Sequence, residues 1–366
     1  MKKIVFVLNF FLLVLFLNVT QVSSQTITEK LDALTDSVLA NSTLPGMIVS
    51  VVCGDFKYEK AKGYADVLNK IPMTLDKTFR AGSMTKTFTV TVLMQLVDEG
   101  KVSLDETISK YFSGIPNGDK ITIRMLAGMT SGLPNYSVSK DFADTLNNNP
   151  HKKWTSDDAL EMAFKNPVNF EPGTNYDYCN TNTIIIGKLI EKLTGKSLRE
   201  NTYERIINPL GLRNTYIPES YQIPGDYAHG YDKKDNAVLV DVTETYDPSW
   251  GGAAGNIVSN VHDLNIYIRA LVKGQLHSSQ MLAERMKWNS FDMDNPMEKY
   301  GLGMFIANDK YIGHDGGIPG FSNITVYSPE KDCSMIIVYN EYTLYAGLKN
   351  PVPNFLVEPI DNIINK

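Results

Sequence analysis

Apolar residues first recur at helical spacing near the start of the chain, where Ile27, Leu31, Leu34 and Val38 fall on one face. Pro45-Gly46 ends that element, and Met47 to Cys53 is a near-continuous apolar run that predicts a buried strand. Gly54-Asp55 supplies a turn, and Phe56 to Ala65 predicts a second strand. A helix is predicted from Ser83 to Gly100, with Phe88, Val92 and Leu96 on one face. From about residue 100 to 295 the pattern is mostly helical, interrupted by Gly-Pro and Asn-Pro loops. Strand patterns return at Tyr300 to Ile306, Asn323 to Tyr327 and Ser334 to Tyr339, and residues 352–365 predict a last helix.

Strands at both ends with helices between them predict an α+β fold. The simplest closure is one antiparallel five-stranded sheet built from both chain ends and covered by the terminal helices. The α/β part then comprises about residues 25–100 and 296–366, and about 101–295 form an inserted, mainly helical domain. Clefts between two such parts are common ligand sites.

Composition narrows the partners. The chain has 366 residues, 43% apolar and 21% charged, which suits a globular protein with a sizeable core. Its formal net charge is -6 and it has no basic run, so no nucleic-acid partner is expected. The three cysteines lack C-x-x-C spacing and the five histidines lack H-E-x-x-H, so neither a metal nor another cofactor is expected. Met1-Lys2-Lys3 leads into an apolar stretch from Ile4 to Val19, and Val22-Ser23-Ser24 places small residues at a cleavage position. That order reads as a signal peptide over residues 1–24, with a secreted or periplasmic product. Asn9 and Asn18 interrupt the apolar stretch, so no stable membrane anchor is expected after cleavage.

Three motifs carry chemistry. Ser83-Met-Thr-Lys86 is an S-x-x-K at a predicted helix start, where residues three apart share a face and the lysine can reach the serine hydroxyl. A serine hydroxyl needs such a neighbour to take its proton. Two further S-x-x-K copies, Ser137 to Lys140 and Ser328 to Lys331, lie in polar loop contexts and read as chance. Tyr178-Cys179-Asn180 is the only Y-x-N among 19 tyrosines and sits between a loop and an apolar helix. A lysine beside that tyrosine would make it a candidate general base, and the asparagine amide can hold a carbonyl. His314-Asp315-Gly316-Gly317 offers glycines beside a strand, where backbone can approach a ligand closely.

The order Ser83-x-x-Lys86, Tyr178-x-Asn180, His314-x-Gly316 resembles the serine penicillin-recognising family, most of all its D-alanyl-D-alanine carboxypeptidases and class C β-lactamases. The resemblance extends through Phe79 to Lys86, Leu96 to Leu104, Met125 to Tyr136, Pro209 to Thr215 and Ala253 to Leu264. It implies an exported serine hydrolase acting on a small peptide, ester or β-lactam substrate, with carboxypeptidase activity expected and esterase, D-aminopeptidase, β-lactamase or non-turnover penicillin-binding behaviour as alternatives. By the same resemblance Ser83 is acylated and Lys86 and Tyr178 exchange its proton. Asn180 would orient Lys86 and the substrate amide, and His314 would stand where many relatives carry lysine. The backbone N–H groups of Ser83 and Gly317 would form the oxyanion hole. Trp250, Tyr136, Asp315 and Gly316 would contact substrate. Two departures weaken the carboxypeptidase assignment. His-Asp-Gly-Gly replaces the H-T-G-T of that subfamily, and Glu298 to Gly313 lacks the arginine that would hold a terminal carboxylate.

The cysteines leave two alternatives. If the first and last predicted strands are antiparallel neighbours, Cys53 and Cys333 come within bonding reach and Cys179 stays free. Otherwise all three behave as small buried hydrophobes.

Overall fold

The computed structural model describes residues 26–234, 238–291, 298–342 and 353–365, so the expected signal segment lies outside the described residues. Helix α1 covers residues 26–40. The strands are β1 (Gly46–Cys53), β2 (Phe56–Asp66), β3 (Ile71–Pro72), β4 (Phe79–Gly82), β5 (Tyr231–Lys234), β6 (Val238–Asp241), β7 (Ile257–Ser259), β8 (Glu298–Tyr300), β9 (Phe305–Ala307), β10 (Tyr311–Ile318), β11 (Phe321–Ser328) and β12 (Cys333–Tyr339).

The main sheet is antiparallel and joins both chain ends, as expected, but it has eight strands rather than five, in the order β3-β2-β1-β12-β11-β10-β9-β8. Beyond the two-residue β3, two sequence features hid the extra strands. The expected strand Tyr300 to Ile306 is two short ones, because Gly301 and Gly303 turn the chain and the Gly301 N–H closes on the Met304 carbonyl at 2.8 Å. The His-Asp-Gly-Gly segment is itself part of β10, a central strand whose consecutive glycines resemble a turn in sequence.

Side-chain alternation decides what each face of the sheet covers. Tyr311 of β10 donates its hydroxyl to Asp361 of the final helix, Val357–Ile364. Its neighbour Ile312 pairs with Tyr327, which stacks under Arg269 of the helix Val261–Val272. These two helices therefore lie on opposite faces. β1 pairs with β12 from Met47↔Tyr339 to Cys53↔Cys333, and the last pair is bridged by a disulfide. Cys179 is free and buried. Among the described residues no helix is long and apolar enough to cross a membrane.

Helix α2 (Thr85–Asp98) begins two residues later than the pattern predicts. Ser83 and Met84 form a tight entry turn, closed by the Lys86 N–H on the Ser83 carbonyl at 3.0 Å. The helix is buried on nearly every side rather than along one stripe, and its threonines satisfy their hydroxyls on backbone carbonyls, Thr91 on Thr87 and Thr89 on Ala253, both at 2.7 Å. A buried central helix with so few free polar groups is a rigid base for the residues at its entry.

Candidate active site

β4 delivers Ser83 to the edge of the main sheet. Gly82 has φ +54°, and a side chain there would press within 3.0 Å of the Gly317 backbone, so only glycine lets these two segments touch. Gly316 is equally constrained, since a Cβ would lie 2.0 Å from the Ala81 carbonyl oxygen. Asn323 of β11 locks the contact by donating to the carbonyls of Ala81 at 3.1 Å and Gly316 at 3.3 Å. Ser83 is partly exposed while Gly82 and Met84 beside it are buried. β9 pairs with β10 only at residues 311–313, so among the described strands none pairs with that edge of β10 from His314 onward, beside the serine. The expected oxyanion-hole segments, Ser83 and Gly317, are thus brought together by backbone contact.

Lys86, the second residue of α2, is fully buried. Its Nζ donates to Ser83 Oγ at 3.0 Å and to the Ala254 carbonyl at 2.9 Å, and it lies 4.8 Å from the Tyr178 ring centre. Burial without a carboxylate partner disfavours its charge and lowers its pKa from 10.5 to about 7, against smaller opposing effects of Asp315 and Cys179. Tyr178 is held on the loop leading into α3 (Asn180–Thr194). Its hydroxyl is buried without a hydrogen-bond partner of good geometry. Burial, reinforced by the charge of Asp315, pushes it well above the usual tyrosine range, and the nearby Ser83 hydroxyl pulls the other way. Of the pair, Lys86 is the group able to be neutral, and so basic, near pH 7.

Several expected roles are corrected. Asn180 does not hold Lys86: its Nδ2 donates to Ser137 Oγ at 2.7 Å, and its buried Oδ1 has no partner. The carbonyl that holds Lys86 belongs to Ala254, in a short turn with no sequence signal of its own. His314 is 1% exposed, and its two nitrogens face Tyr300 Oη at 3.0 Å and the Asp315 carbonyl at 2.7 Å. A carbonyl only accepts, so Nδ1 donates there, while Nε2 is paired with the Tyr300 hydroxyl. His314 therefore buttresses Tyr178, with the two rings 5.9 Å apart, instead of acting on the substrate. Tyr136 and Trp250 do not form cleft walls. Tyr136 is fully buried and donates to the Trp250 carbonyl at 2.6 Å, and Trp250 packs edge-on against Phe142. Together they brace the turn that presents Ala254. Ser137, which reads as chance in the sequence, belongs to the site through Asn180.

Asp315 alternates to the opposite face of β10 from His314, yet its Oδ1 lies 3.3 Å from His314 Nδ1. Asn354 donates to its Oδ2 at 3.1 Å. Its side chain is 46% exposed at the strand edge. Burial alone would raise its pKa, but interactions with His314 and Asn354 outweigh that effect and keep it below the usual aspartate value. Among the described residues no cluster of side chains could hold a metal ion.

Comparison with known proteins agrees with this fold. A family described as Beta-lactamase matches residues 31–349. The chain is 23% identical to Protein flp of Staphylococcus aureus (strain MW2), covering 87% of this chain and 64% of that protein's length. Among solved structures, it resembles a D-stereospecific amidohydrolase from Streptomyces sp. at 30% identity and TM-score 0.76, over 87% of this chain and 93% of that one. A D-amino acid amidase from Ochrobactrum anthropi SV3 superposes with TM-score 0.80 at 26% identity, over 94% and 97% of the respective chains.

Proposed function

The chain belongs to the beta-lactamase family of serine hydrolases, and from that premise we propose that it is an exported amidase that cleaves small D-amino acid amides through an acyl-enzyme on Ser83. The observation that carries the reading is the 3.0 Å contact between Ser83 Oγ and a buried Lys86 whose pKa falls to about 7. Ser83 Oγ attacks the substrate carbonyl carbon as its proton passes to the Lys86–Tyr178 pair. The N–H groups of Ser83 and Gly317 receive the developing oxyanion. The C–N bond breaks, the pair returns the proton to the departing amine, and an ester on Ser83 remains. Water then attacks that ester, giving a proton to the same pair, and the acid leaves as Ser83 Oγ regains its hydrogen.

The D-amide substrate class is supported by the named activities of the two structural relatives. Carboxypeptidase action requires a group to hold a terminal carboxylate, and the described site is poor in them. Asn323 is 1% exposed and tied to backbone, Lys310 is 3.8 Å from Asp361, and Asp315 brings negative charge to the open edge. Export is supported by the apolar N-terminal segment and by the Cys53–Cys333 bridge.

The test compares kcat/KM for D-amino acid amides, an acyl-D-Ala-D-Ala peptide, its C-terminal amide, short p-nitrophenyl esters and nitrocefin. Amides and the amidated peptide are expected to react at least as well as the free acid, with nitrocefin slow. A preference of roughly several hundredfold for the free acid would overturn the amidase reading in favour of a carboxypeptidase.

A further inference from the structure

The cleft has a direction. The oxyanion end lies at Gly317, where Gly82 touches its backbone. Three residues back along β10, His314 packs 5.9 Å from the ring of Tyr178, the group placed to return a proton to the leaving group. A substrate whose carbonyl sits at Gly317 and whose leaving group departs beside Tyr178 therefore runs along the open strand edge toward His314 and Asp315. Asp315 stands at that end with its side chain 46% exposed. Asn354 holds Oδ2 and leaves Oδ1 beside the edge. Among the described residues no lysine or arginine lies within 4.0 Å of it, and its nearest basic neighbour is the His314 ring.

We infer that Asp315 is the specificity-determining residue of the leaving-group subsite, and that it selects substrates whose leaving group carries an ammonium while rejecting those whose leaving group carries a carboxylate. This rests on the amidase reading above and names the substrate class within it. An oriented, hydrogen-bonded carboxylate pairs favourably with a cation brought to the same edge, and two carboxylates there repel. The two threonines that the H-T-G-T pattern would supply are absent, so neither places a hydroxyl at that position.

The test is a matched series of N-acetyl-D-alanyl amides with aminoethyl (cationic), propyl (neutral) and carboxymethyl (anionic) leaving groups. Each is assayed on the full chain, on D315N and on D315T, with intact-mass detection of acyl-Ser83. The wild type is expected to prefer aminoethyl over propyl, and propyl over carboxymethyl, each by about tenfold in kcat/KM. D315N keeps the size and hydrogen bonding of the side chain and is expected to compress both ratios to within about threefold. D315T is expected to raise the carboxymethyl substrate relative to propyl. Turnover through Ser83 with equal rates across the series, or ratios unchanged in D315N, would overturn the inference while leaving the amidase reading intact. A cation preference seen only when the ammonium is the acyl α-amine, tested with D-alanine propylamide, would also overturn it. Failure of every member to acylate Ser83 would overturn the proposed function and this inference together.

Discussion

The rate of acylation should rise with pH through a single titration near neutrality. The perturbation is pH itself, acting on Lys86. An ordinary lysine at 10.5 would be neutral in roughly one molecule in three thousand at pH 7, whereas Lys86 at about 7 is neutral in roughly half. That is a gain of roughly a thousandfold in available base, set by the loss of water around the buried amine. Below the transition the ammonium cannot accept the Ser83 proton, so the rate should fall about tenfold per pH unit and level off above it. The assay is the single-turnover rate of acyl-enzyme formation from pH 5 to 9, read by intact mass so that leaving-group ionisation does not enter. Asp315 favours the charged form of Lys86, so Asp315→Asn should move the midpoint to lower pH. A flat profile, a midpoint near 10, or a shift to higher pH in Asp315→Asn would refute the reasoning.

Two further outcomes follow from the same structure. Lys86→Met should abolish turnover yet stabilise the fold, because burying the amine costs up to about 5 kcal/mol. Its folded pKa lies below its unfolded one, so the unfolded chain binds the extra proton between about pH 7 and 10.5, and stability rises with pH across that window. The variant's advantage in Tm should be full at pH 6 and shrink toward pH 10, and a destabilised variant at pH 6 would contradict this. Removing the bridge with Cys53→Ser and Cys333→Ser should cost about 2–5 kcal/mol in denaturant unfolding, and the unreduced wild type should titrate one free thiol, Cys179.

Residues that act through short spacing are legible in the sequence itself. Ser83 and Lys86 are three apart around an entry turn, so their contact is local, and Cys53 at the end of one apolar run and Cys333 at the start of another make the bridge one of two alternatives. Contacts that are long-range, or made by backbone, leave no such mark. Nothing in Ala254 signals that its carbonyl holds Lys86, 168 residues away in sequence. Ser137 meets Asn180 across 43 residues, and Asn354 meets Asp315 across 39. Tyr136, Trp250 and His314 are residue types found both in clefts and in cores, and only their packing decides between the two. The β10 glycines hid a strand because glycine is rare inside strands except where another backbone presses close, as Ala81 and Gly82 do here.

The central claim is that Ser83 is the nucleophile of an acyl-enzyme. It is tested most directly by incubating the wild type and Ser83→Ala with a fluorophosphonate and a penicillin-type probe, then mapping the modified peptide by mass spectrometry. The account predicts one adduct per chain on the peptide containing Ser83, absent from a folded Ser83→Ala protein. An adduct that persists in Ser83→Ala, on Ser137, Ser328 or any other residue, would contradict it.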